Sequence, residues 1–385
     1  MTLEKNTNFV HVKEVINSIP RREYVQQPTP IEYMPRLTKF ASISRGTKEE
    51  EKKEEEAEVE SNGPQLYVKR DDKLALAGGG SKTRKLDYLI QEALDQNANV
   101  IVTCGAVQSN HCRLTASAAA REGIECYLLL EERVPGSYNP NAGGNNYIFS
   151  LLGAKQIAVP AGGIGPVQDD LVAKLKNEGN NVYVIPGGGS NKLGALGYVR
   201  CATEIIEESE MLKAEAGESA KPGLFWDYIV TCSGSGGTHT GILTGLRACG
   251  YTTPVLGVSV RFDAKTQRDR IYEQCQNCVK SFFSSCEYYA KNGGEMPKDD
   301  VVVYDNYVGE GYSLYTHEMA SAIENFARME SIILDPVYTG KAAAGLLDMV
   351  RRDMFTKDQR VLFIHTGGEP SIYHYQPLPS NNIIG

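Results

Sequence analysis

The chain has 385 residues, enough for about two domains and a sizeable core, and 41% of them are hydrophobic, as in a globular protein. Its formal net charge of −8, without a basic cluster, argues against a nucleic-acid-binding protein. No apolar run approaches a length of about 18 residues, so no membrane span is expected, and residues 1–19 lack the apolar stretch of a signal peptide.

The first part of the chain combines an extended segment, a charged segment and a strand. The prolines of residues 28–33 favour extended or turning backbone. Residues 48–60 form a dense run of charges within an insertion at positions 42–63. We interpret this run as a solvated, partly helical segment rather than as a functional acidic tail. Residues 66–69 are predicted to form a strand that leads into a glycine-rich loop.

That loop, residues 78–81, delivers Lys82 to the start of a predicted helix. Glycines allow tight backbone turns, and the first turn of a helix offers free N–H groups and the positive end of the helix dipole. A lysine in this setting loses its proton more easily than a solvated lysine, which suits an amine nucleophile or a Schiff base. The alternative is a surface lysine that follows a loop. The helix itself is predicted from apolar residues at helical spacing, namely Leu86, Leu89, Ile90, Ala93 and Leu94.

From Val100 onward, short apolar strands alternate with helices. Such alternation predicts βαβ units on a parallel sheet that is covered on both faces. Residues 275–300 do not follow this rhythm and are expected to be irregular. Strands are expected at 100–104, 126–130, 156–159, 182–185, 228–232, 255–260 and 361–364, and helices at 112–122, 145–152, 167–178 and from 192 to about 209.

A loop rich in glycine, serine and threonine follows the predicted strand at 228–232 and opens a helix near His239. This order makes an anion cradle, in which backbone N–H groups and hydroxyls donate to a phosphate. No lysine follows the last glycine, as a Walker loop requires, and the spacing does not match the dinucleotide-binding pattern. A structural glycine turn is the alternative. The residues of the predicted phosphate loop are Gly234, Ser235, Gly236, Gly237 and Thr238.

Polar residues also follow two other predicted strands. Ser109 and Asn110 come after the strand at 100–104, and Thr366 comes after the strand at 361–364. Ligands of open α/β sheets gather at the carboxyl ends of the strands, so these side chains can reach a carboxylate or a cofactor edge. For Ser109 and Asn110 the alternative is a helix N-cap, which both residue types favour.

Two tyrosines lie in loops that could border a site. Tyr338 precedes a helix predicted from Gly340, and Tyr312 follows Gly311 in a flexible loop. Phenols donate protons, or accept them when ionised. Either tyrosine could equally be a core or rim residue.

Other chemistries have weaker support. Cys275, Cys278 and Cys286 suggest zinc, but a fourth ligand at suitable spacing is missing. His239 and His317 lack a neighbouring nucleophile and carboxylate, and no G-x-S-x-G motif supports a serine hydrolase. The nine cysteines lie mostly in apolar runs, which indicates reduced thiols in a cytoplasmic protein rather than a disulfide framework.

Together these motifs resemble those of fold-type II pyridoxal-phosphate enzymes of the aminocyclopropane-carboxylate deaminase and D-cysteine desulfhydrase family. The resemblance covers the chain from about residue 28 to residue 368, except for the charged insertion and residues 275–300. The matching strings are KRDD at Lys69, GSKTRKLDYL at Gly80, GAVQSNHCR at Gly105, PGGGSNKLGALGY at Pro186, SGSGGTHTG at Ser233, LDPVYTGKAAAGL at Leu334 and LFIHTGG at Leu362.

The resemblance implies two open, mostly parallel twisted sheets covered by helices, with pyridoxal 5′-phosphate in the cleft between two domains. The large domain is expected to comprise residues 1–84 and 191–385, and the small domain residues 85–190. A homodimer is also implied. The partner is expected to be a small amino-acid substrate, and neither a nucleic acid nor a membrane.

The same resemblance implies roles for the site residues. Lys82 would form the Schiff base with the cofactor, and Thr366 would meet the pyridine nitrogen. Tyr312 and Tyr338 would flank the substrate and share the catalytic work with Lys82 and Ser109. Asn110 would also lie close to the pyridoxal 3′-oxygen, and Ser81 replaces the asparagine of the usual G-G-N-K string. The substrate carboxylate would face Ser109, Asn110 and His111, and the phosphate would be held by Gly234, Ser235, Gly236, Gly237 and Thr238.

The choice between the two branches of the family rests on Thr339. Members similar to the deaminase carry glutamate after the tyrosine of the D-P-V-Y string, and a carboxylate there could keep the pyridine nitrogen protonated. A protonated ring is the deeper electron sink, useful for opening a cyclopropane. Thr339 and Thr366 offer hydroxyls, which suit α-proton loss followed by expulsion of a good β leaving group. The resemblance therefore favours the desulfhydrase branch.

The expected activity is β-elimination that converts D-cysteine to pyruvate, ammonia and hydrogen sulfide, with Lys82 or a neighbour such as Tyr312 removing the α-proton. The substrate enantiomer and the leaving group stay open, because L-cysteine, L-cysteate and β-chloroalanine undergo the same type of elimination. Deamination of aminocyclopropane carboxylate is disfavoured by Thr339. A non-catalytic binding protein could retain the fold, but Lys82, the phosphate loop and Tyr338 argue against it.

Overall fold

The computed structural model describes residues 3–43 and 63–375. Within these residues the strands form two separate sheets. The strands are β1 (Ile31–Tyr33), β2 (Gln65–Arg70), β3 (Val100–Ala106), β4 (Glu125–Glu132), β5 (Lys155–Pro160), β6 (Val182–Ile185), β7 (Tyr228–Ser233), β8 (Val255–Ser259), β9 (Val302–Tyr304) and β10 (Arg360–His365).

Both sheets are open and mostly parallel. The larger sheet has the strand order β1-β2-β10-β7-β8-β9, in which β1 runs antiparallel to β2 and the other neighbours are parallel. The smaller sheet has the order β5-β4-β3-β6 and is parallel throughout. The predicted fold class, two open and mostly parallel sheets covered by helices, is confirmed.

Helices connect the strands and cover the sheets, as parallel strand connections require. They are α1 (Thr7–Ser18), α2 (Pro35–Ile43), α3 (Lys82–Asp95), α4 (Asn110–Glu122), α5 (Asn145–Leu151), α6 (Ile164–Asn177), α7 (Lys192–Glu215), α8 (Gly237–Ala248), α9 (Ala264–Cys278), α10 (Glu287–Lys291), α11 (His317–Glu330), α12 (Thr339–Arg351) and α13 (Glu369–Ile372). Among the described helices none is both long and apolar enough to cross a membrane.

The central strands are buried on both faces. In the larger sheet, Ile229 and Leu362 pack into one hydrophobic cluster, whereas their sequence neighbours Val230 and Phe363 pack into another. Successive side chains of a strand point to opposite faces, so each strand must be apolar throughout. This burial explains why the strands of this chain are continuous apolar runs instead of alternating polar and apolar residues.

The structure differs from the sequence prediction between residues 275 and 300. Cys275 and Cys278 lie in the last turn of α9, and Cys286 directly precedes α10. A π-helical turn, Val279–Phe283, separates the two helices. The three thiols are buried in a hydrophobic cluster, and the described residues contain no group of three or more potential metal ligands. The region is therefore a series of short helical pieces whose cysteines belong to the core.

Two predictions about organisation stay predictions. The charged run at residues 48–60 lies outside the described residues. The predicted domain limits at 84/85 and 190/191 are the second. All four strands of the smaller sheet come from residues 100–185, but the sheets do not define where each domain begins and ends. Helices α1, α2, α9 and α11 and the short strands β1 and β9 were not singled out from the sequence.

Candidate active site

A cavity of about 220 Å³ opens where the carboxyl ends of strands from both sheets meet. Seven of the predicted site residues line it. The strand ends deliver most of these residues, as the rule for ligands of open parallel sheets predicts. The seven are Lys82, Ser109, His111, Gly234, Ser235, Tyr312 and Tyr338.

The loop that carries Lys82 is held in an unusual backbone conformation. Every residue from Leu76 to Gly80 has a positive φ, including the two non-glycine residues Leu76 (74°) and Ala77 (20°). A Cβ at Gly79 would lie 1.8 Å from the Asp72 carbonyl oxygen. The backbone N–H of the next residue, Ser81, donates to the Thr366 carbonyl oxygen at 2.9 Å. The glycines are therefore required for the chain to place Lys82 against the end of β10.

Lys82 is the first residue of α3, and its amine lies 5.1 Å from the centre of the Tyr338 ring. The pKa of this amine is lowered, mainly because burial penalises the ammonium form, and the nearby Arg113 adds repulsion. Cys232 and Asp335 act in the opposite direction. A lysine with a lowered pKa is the kind of amine that forms Schiff bases, so the prediction of a reactive lysine has a physical basis.

Lys85, one turn later, is buried beside the predicted phosphate loop. Its ammonium donates to the Gly188 carbonyl oxygen at 3.0 Å and to Ser190 Oγ at 3.4 Å. A Cβ at Gly237 would lie 2.9 Å from Lys85 Nζ. The pKa of Lys85 lies well below its usual value, because of burial and repulsion by Lys82. An anion bound at the phosphate loop would therefore stabilise the positive charge of Lys85.

The carbonyl groups of two residues of the phosphate loop are bound by helix α9. Gln267 and Gln274, on α9, donate to the carbonyl oxygens of Gly234 at 3.0 Å and Ser235 at 2.8 Å. Those carbonyl groups are therefore turned away, and the loop ends at the positive N-terminus of α8. Ser190 Oγ holds the loop in place, because it donates to Ser235 Oγ at 2.8 Å and accepts from the Gly237 N–H at 3.2 Å. The Ser235 hydroxyl proton is therefore free for an anion. This arrangement matches an anion cradle.

Asn110 is held in one orientation by a buried network. Its Oδ1 accepts from Arg113 at 2.9 Å and from Asn145 at 2.9 Å. Its Nδ2 lies 3.4 Å from Asp335 Oδ2. With Oδ1 saturated by two donors, the amide can offer only its remaining N–H to a ligand. Ser109 is the N-cap of α4 and accepts from the Cys112 N–H at 3.1 Å, so its hydroxyl proton remains available.

His111 is a neutral imidazole that is tied to the smaller sheet. Its Nε2 lies 2.7 Å from Thr103 Oγ1, which itself donates to the Ile185 carbonyl oxygen at 2.8 Å. Thr103 can therefore only accept from His111, which assigns the ring proton to Nε2. Burial lowers the pKa of His111 to about 3, with further repulsion from Lys82 and Lys85. The side chain cannot supply a positive charge to a substrate carboxylate.

The two predicted tyrosines lie side by side. Tyr312 Oη and Tyr338 Oη are 2.5 Å apart, and the Arg133 guanidinium lies 4.5 Å from the centre of the Tyr312 ring. Burial raises the pKa of both phenols, and Arg133 acts to lower the pKa of both. The geometry allows either hydroxyl to donate; with Tyr338 as the donor, the Tyr312 proton is free for the cavity.

The two threonines that separate the family branches are not equivalent. Thr366 Oγ1 lies 3.2 Å from Cys232 Sγ, at the end of β10. Thr339 is fully buried, and its hydroxyl accepts from the Asp335 N–H at 2.7 Å and donates to Asp335 Oδ1 at 2.8 Å. Thr339 therefore organises the start of α12, and only Thr366 keeps a hydroxyl that can serve a ligand.

Several residues of the site escaped the sequence analysis. Asp335 anchors both Asn110 and the turn before α12, and Arg113 fixes Asn110. Arg133 could have been found, because it directly follows β4, the neighbour of β3 in the smaller sheet. Arg261 and Arg270 also line the cavity, but an arginine in a loop or on a helix carries no signal in a single sequence.

The donor set fits pyridoxal phosphate. An amine with a lowered pKa suits the aldehyde, and an N–H cradle backed by the buried Lys85 suits the phosphate. Asn110 would offer an N–H to the 3′-oxygen of the cofactor, and Thr366 a hydroxyl to its ring nitrogen. Gly237 supports the same fit, since a Cβ there would lie 2.8 Å from Ser190 Oγ and would crowd the cradle.

A crevice between two mostly parallel sheets, with a lysine of lowered pKa on one side and an anion cradle on the other, defines an enzyme that uses pyridoxal phosphate. Residues 49–367 match the model of the family described as pyridoxal-phosphate dependent enzyme. The chain belongs to this family, and pyridoxal phosphate is its cofactor.

Similar proteins of known name match along nearly the whole chain. A D-cysteine desulfhydrase of Klebsiella pneumoniae (strain 342) is 35% identical over 365 residues, which are 94% of this chain and 98% of that protein. A D-cysteine desulfhydrase of Yersinia enterocolitica is 37% identical over 361 residues, which are 93% of this chain and 96% of that protein. The predicted resemblance to the desulfhydrase and deaminase family is thereby confirmed.

Solved structures agree with this assignment. A crystal structure of an ACC deaminase homologue superposes with a TM-score of 0.74 at 30% sequence identity and covers 95% of this chain and 97% of its own. An L-serine ammonia-lyase from Rhizomucor miehei has a TM-score of 0.57 at 17% identity, covering 91% of this chain and 98% of its own, and shares the fold.

Proposed function

We propose that this chain is a D-cysteine desulfhydrase, which converts D-cysteine and water to pyruvate, ammonia and hydrogen sulfide. The named relatives support the substrate. The structural observation that carries the proposal is the sequence of contacts from the Lys82 amine to the Tyr338 ring and from Tyr338 Oη to Tyr312 Oη. These contacts put one basic group and one proton donor on a single cavity, as β-elimination of a thiol requires.

In this proposal the cofactor is held by groups from both sheets. Lys82 would bind its aldehyde carbon, Asn110 would donate to the 3′-oxygen and the Thr366 hydroxyl would meet the ring nitrogen. When bound, pyridoxal phosphate supplies an electron sink for the electron pair left on the substrate after α-proton loss. The phosphate would be held by Lys85 together with Gly234, Ser235, Gly236, Gly237 and Thr238.

The substrate carboxylate is bound at the start of α4. The Ser109 hydroxyl proton is available, and the first turn of the helix offers the backbone N–H groups of Asn110 and His111. The protonated ring nitrogen of His111, Nε2, is bonded to Thr103, and the unprotonated Nδ1 cannot donate to a carboxylate. His111 therefore contributes through its backbone and not through its ring. A carboxylate at this position also lies in the favourable field of the helix dipole.

Two protons move during the reaction. The Lys82 amine, whose pKa is lowered by burial, accepts the α-proton. The Tyr312 phenol donates its proton to the departing sulfur, and Arg133 stabilises the negative charge left on the phenol. Tyr338 orients Tyr312 by donating to its oxygen.

We further propose that the protein acts as a cytoplasmic homodimer that releases hydrogen sulfide. The nine cysteines, all free thiols, support a reducing compartment. The homodimer is supported by the resemblance to the desulfhydrase and deaminase family.

Substrate comparison with the purified protein loaded with pyridoxal phosphate tests the function. We expect sulfide and pyruvate from D-cysteine at a higher kcat/KM than from L-cysteine, and little ammonia from aminocyclopropane carboxylate. The matched control is the Lys82→Ala variant, which should release no sulfide. Ammonia from the cyclopropane substrate without sulfide from either cysteine enantiomer would overturn the proposal.

A further inference from the structure

Lys341 is a buried lysine that has no carboxylate partner. It lies in the first turn of α12, and its side chain is fully buried. Across residues 3–43 and 63–375, no carboxylate forms an ion pair with its ammonium. Burial lowers the pKa of this amine to about 8. A cation at the N-terminus of a helix also opposes the helix dipole, so Lys341 is not placed where it would stabilise α12. Strong hydrogen-bond acceptors must offset the cost of its burial.

The acceptors are two carbonyl oxygens of one loop. Lys341 Nζ donates to the Val308 carbonyl oxygen at 2.6 Å and to the Gly311 carbonyl oxygen at 2.8 Å. Distances this short are typical of charge-assisted hydrogen bonds. The loop comprises residues 305–316, between β9 and α11, and Gly311 directly precedes Tyr312. Lys341 therefore fixes the backbone that leads into the proposed proton donor.

The loop needs such support from outside. Gly309 and Ser313 both have positive φ, 68° and 67°, and for the non-glycine residue Ser313 this conformation is unfavourable. A backbone conformation of this kind persists when the surrounding structure holds it. Beyond Tyr312, the Ser313 hydroxyl lies 2.8 Å from the Tyr375 hydroxyl. Before Tyr312, the two Lys341 hydrogen bonds provide the corresponding contact.

Tyr338 and Lys341 belong to the same end of α12. Residues three apart are neighbours on a helix surface. Tyr338, the N-cap of α12, supplies one hydroxyl of the tyrosine pair, and Lys341 holds the loop that supplies the other, 2.5 Å away. One helix end thus sets the positions of both phenols. Lys341 is not among the described residues that line the active-site cavity, so its contact with the site is indirect.

We propose that Lys341 is a positioning residue, which holds Tyr312 where its hydroxyl can protonate the departing sulfur. The inference rests on the proposed elimination and on the role of Tyr312 in it. A general acid must lie about 2.6–3.2 Å from the atom that it protonates. A misplacement of about 1 Å can lower a rate about 100-fold. A lysine that served the fold alone would affect all substrates equally.

The test compares kcat for D-cysteine with kcat for β-chloroalanine in the Lys341→Met holoenzyme. Methionine retains most of the apolar stem of lysine and removes the ammonium. Sulfide needs a proton to leave well, whereas chloride does not. The ratio of kcat for D-cysteine to kcat for β-chloroalanine should therefore fall about 10- to 100-fold relative to the parent protein.

Lys213→Met is the matched control. Lys213 is also a buried lysine on a helix, and its ammonium also donates to a loop carbonyl oxygen, that of Gly223 at 3.1 Å. It does not line the active-site cavity within the part of the chain that the structure describes. Its replacement should lower the melting temperature and leave the ratio of the two kcat values unchanged.

A double variant separates action through Tyr312 from a general loss of order. In the Tyr312→Phe background no phenolic proton is left to position, so adding Lys341→Met should not lower the ratio further. Residues that act through one shared step show such non-additive effects. A ratio that falls by the same factor in both backgrounds would overturn the proposal. Equal losses of kcat for D-cysteine and β-chloroalanine in Lys341→Met would also overturn it.

Lys341→Gln is the variant to use where Lys341→Met does not fold. Its amide can donate to both carbonyl oxygens, but without the charge that makes such bonds about twice as strong. The ratio should fall in the same direction and by a smaller factor, and a ratio equal to that of the parent would overturn the proposal. A parent protein that releases neither sulfide nor chloride would refute the proposed function, and the positioning role with it. An active parent with an unchanged ratio in Lys341→Met would refute the positioning role alone.

Discussion

Tyr312 and Tyr338 share a hydrogen bond of 2.5 Å between their hydroxyl oxygens, and each ring contacts a different cation. The Lys82 amine lies 5.1 Å from the Tyr338 ring centre, and the Arg133 guanidinium lies 4.5 Å from the Tyr312 ring centre. Arg133 acts to lower the pKa of both phenols, whereas their shared hydrogen bond acts to lower the pKa of Tyr312 and to raise that of Tyr338. In the proposed elimination this asymmetry would place the base at Lys82 and the acid at Tyr312.

Replacing Tyr312 with phenylalanine should affect leaving groups unequally. Sulfide needs a proton to leave well, whereas chloride does not. We expect kcat for sulfide release from D-cysteine to fall about 100-fold or more, within the usual range for loss of a general acid. Elimination from β-chloroalanine should fall much less, and both rates can be followed by pyruvate formation.

Tyr373→Phe is a suitable control for this experiment. Tyr373 is 59% exposed and hydrogen-bonds Glu369 at 3.1 Å, so its loss should change neither rate. Equal losses for D-cysteine and β-chloroalanine in Tyr312→Phe would contradict the role as an acid and would assign α-proton removal to Tyr312.

The Lys82→Ala variant should lose both the absorbance of the Schiff base between the lysine and the cofactor and all measurable turnover. The reason is that the alanine side chain has no amine for the aldehyde. Lys73→Ala, in the segment before the same loop, is the control, because Lys73 is a half-exposed residue that pairs with Glu32 at 2.6 Å. Absorption spectra of the two variants after incubation with pyridoxal phosphate give the comparison. A Lys82→Ala protein that kept the absorbance would disprove the assignment.

Much of the fold could be predicted because parallel strands buried on both faces are short apolar runs separated by helices. The strand at Val182–Ile185 was predicted with its observed limits, and the phosphate loop followed from its place between β7 and α8. Helices α1 and α2 were not predicted, because they lie outside the alternation of strands and helices on which the prediction was based. Strand pairing was not predicted, since β10 inserts between β2 and β7, which are far apart in sequence.

The sequence predicted which residues belong to the site, but not the hydrogen bonds that connect them. Lys82, Ser109 and Tyr338 could be located because each sits at the start of a helix. The partners that fix them are long-range: Asp335 reaches Asn110 across 225 positions of sequence. Thr339 shows the limit most clearly, because a hydroxyl expected to face the cofactor is bonded to Asp335 instead.

Gly79→Ala should destabilise the protein and weaken cofactor binding more than Gly123→Ala. The two glycines have nearly the same φ, 68° and 70°, so both substitutions carry the about 1–2 kcal/mol cost of a left-handed alanine. A Cβ at Gly123 meets nothing within 4 Å, whereas at Gly79 it would lie 1.8 Å from the Asp72 carbonyl oxygen. Calorimetric melting with and without pyridoxal phosphate measures the difference. Equal effects of the two variants would show that the loop can shift without cost.

His239→Asn should flatten the dependence of stability on pH between 6.5 and about 4. Burial lowers the pKa of His239 from 6.5 to about 4, so in this range the unfolded chain binds a proton that the folded chain does not. Stability therefore falls as the pH falls, by up to about 1.4 kcal/mol per pH unit for this group. Asparagine does not titrate, and it retains a polar atom near the position of Nδ1, which lies 3.3 Å from Ser233 Oγ.

The difference in stability between the parent protein and the His239→Asn variant reports on His239 alone. His111, whose pKa is about 3, destabilises the fold in the same direction on acidification, whereas Asp87, whose pKa is raised by burial to about 7, acts in the opposite direction. Both groups are present in the parent protein and in His239→Asn, so their contributions cancel in the comparison. Melting temperatures measured by calorimetry from pH 7 to pH 4 should converge, because the parent protein loses stability faster than the variant. Parallel curves would mean that His239 takes up its proton equally in the folded and unfolded states, and burial would then not be the cause of its neutral form.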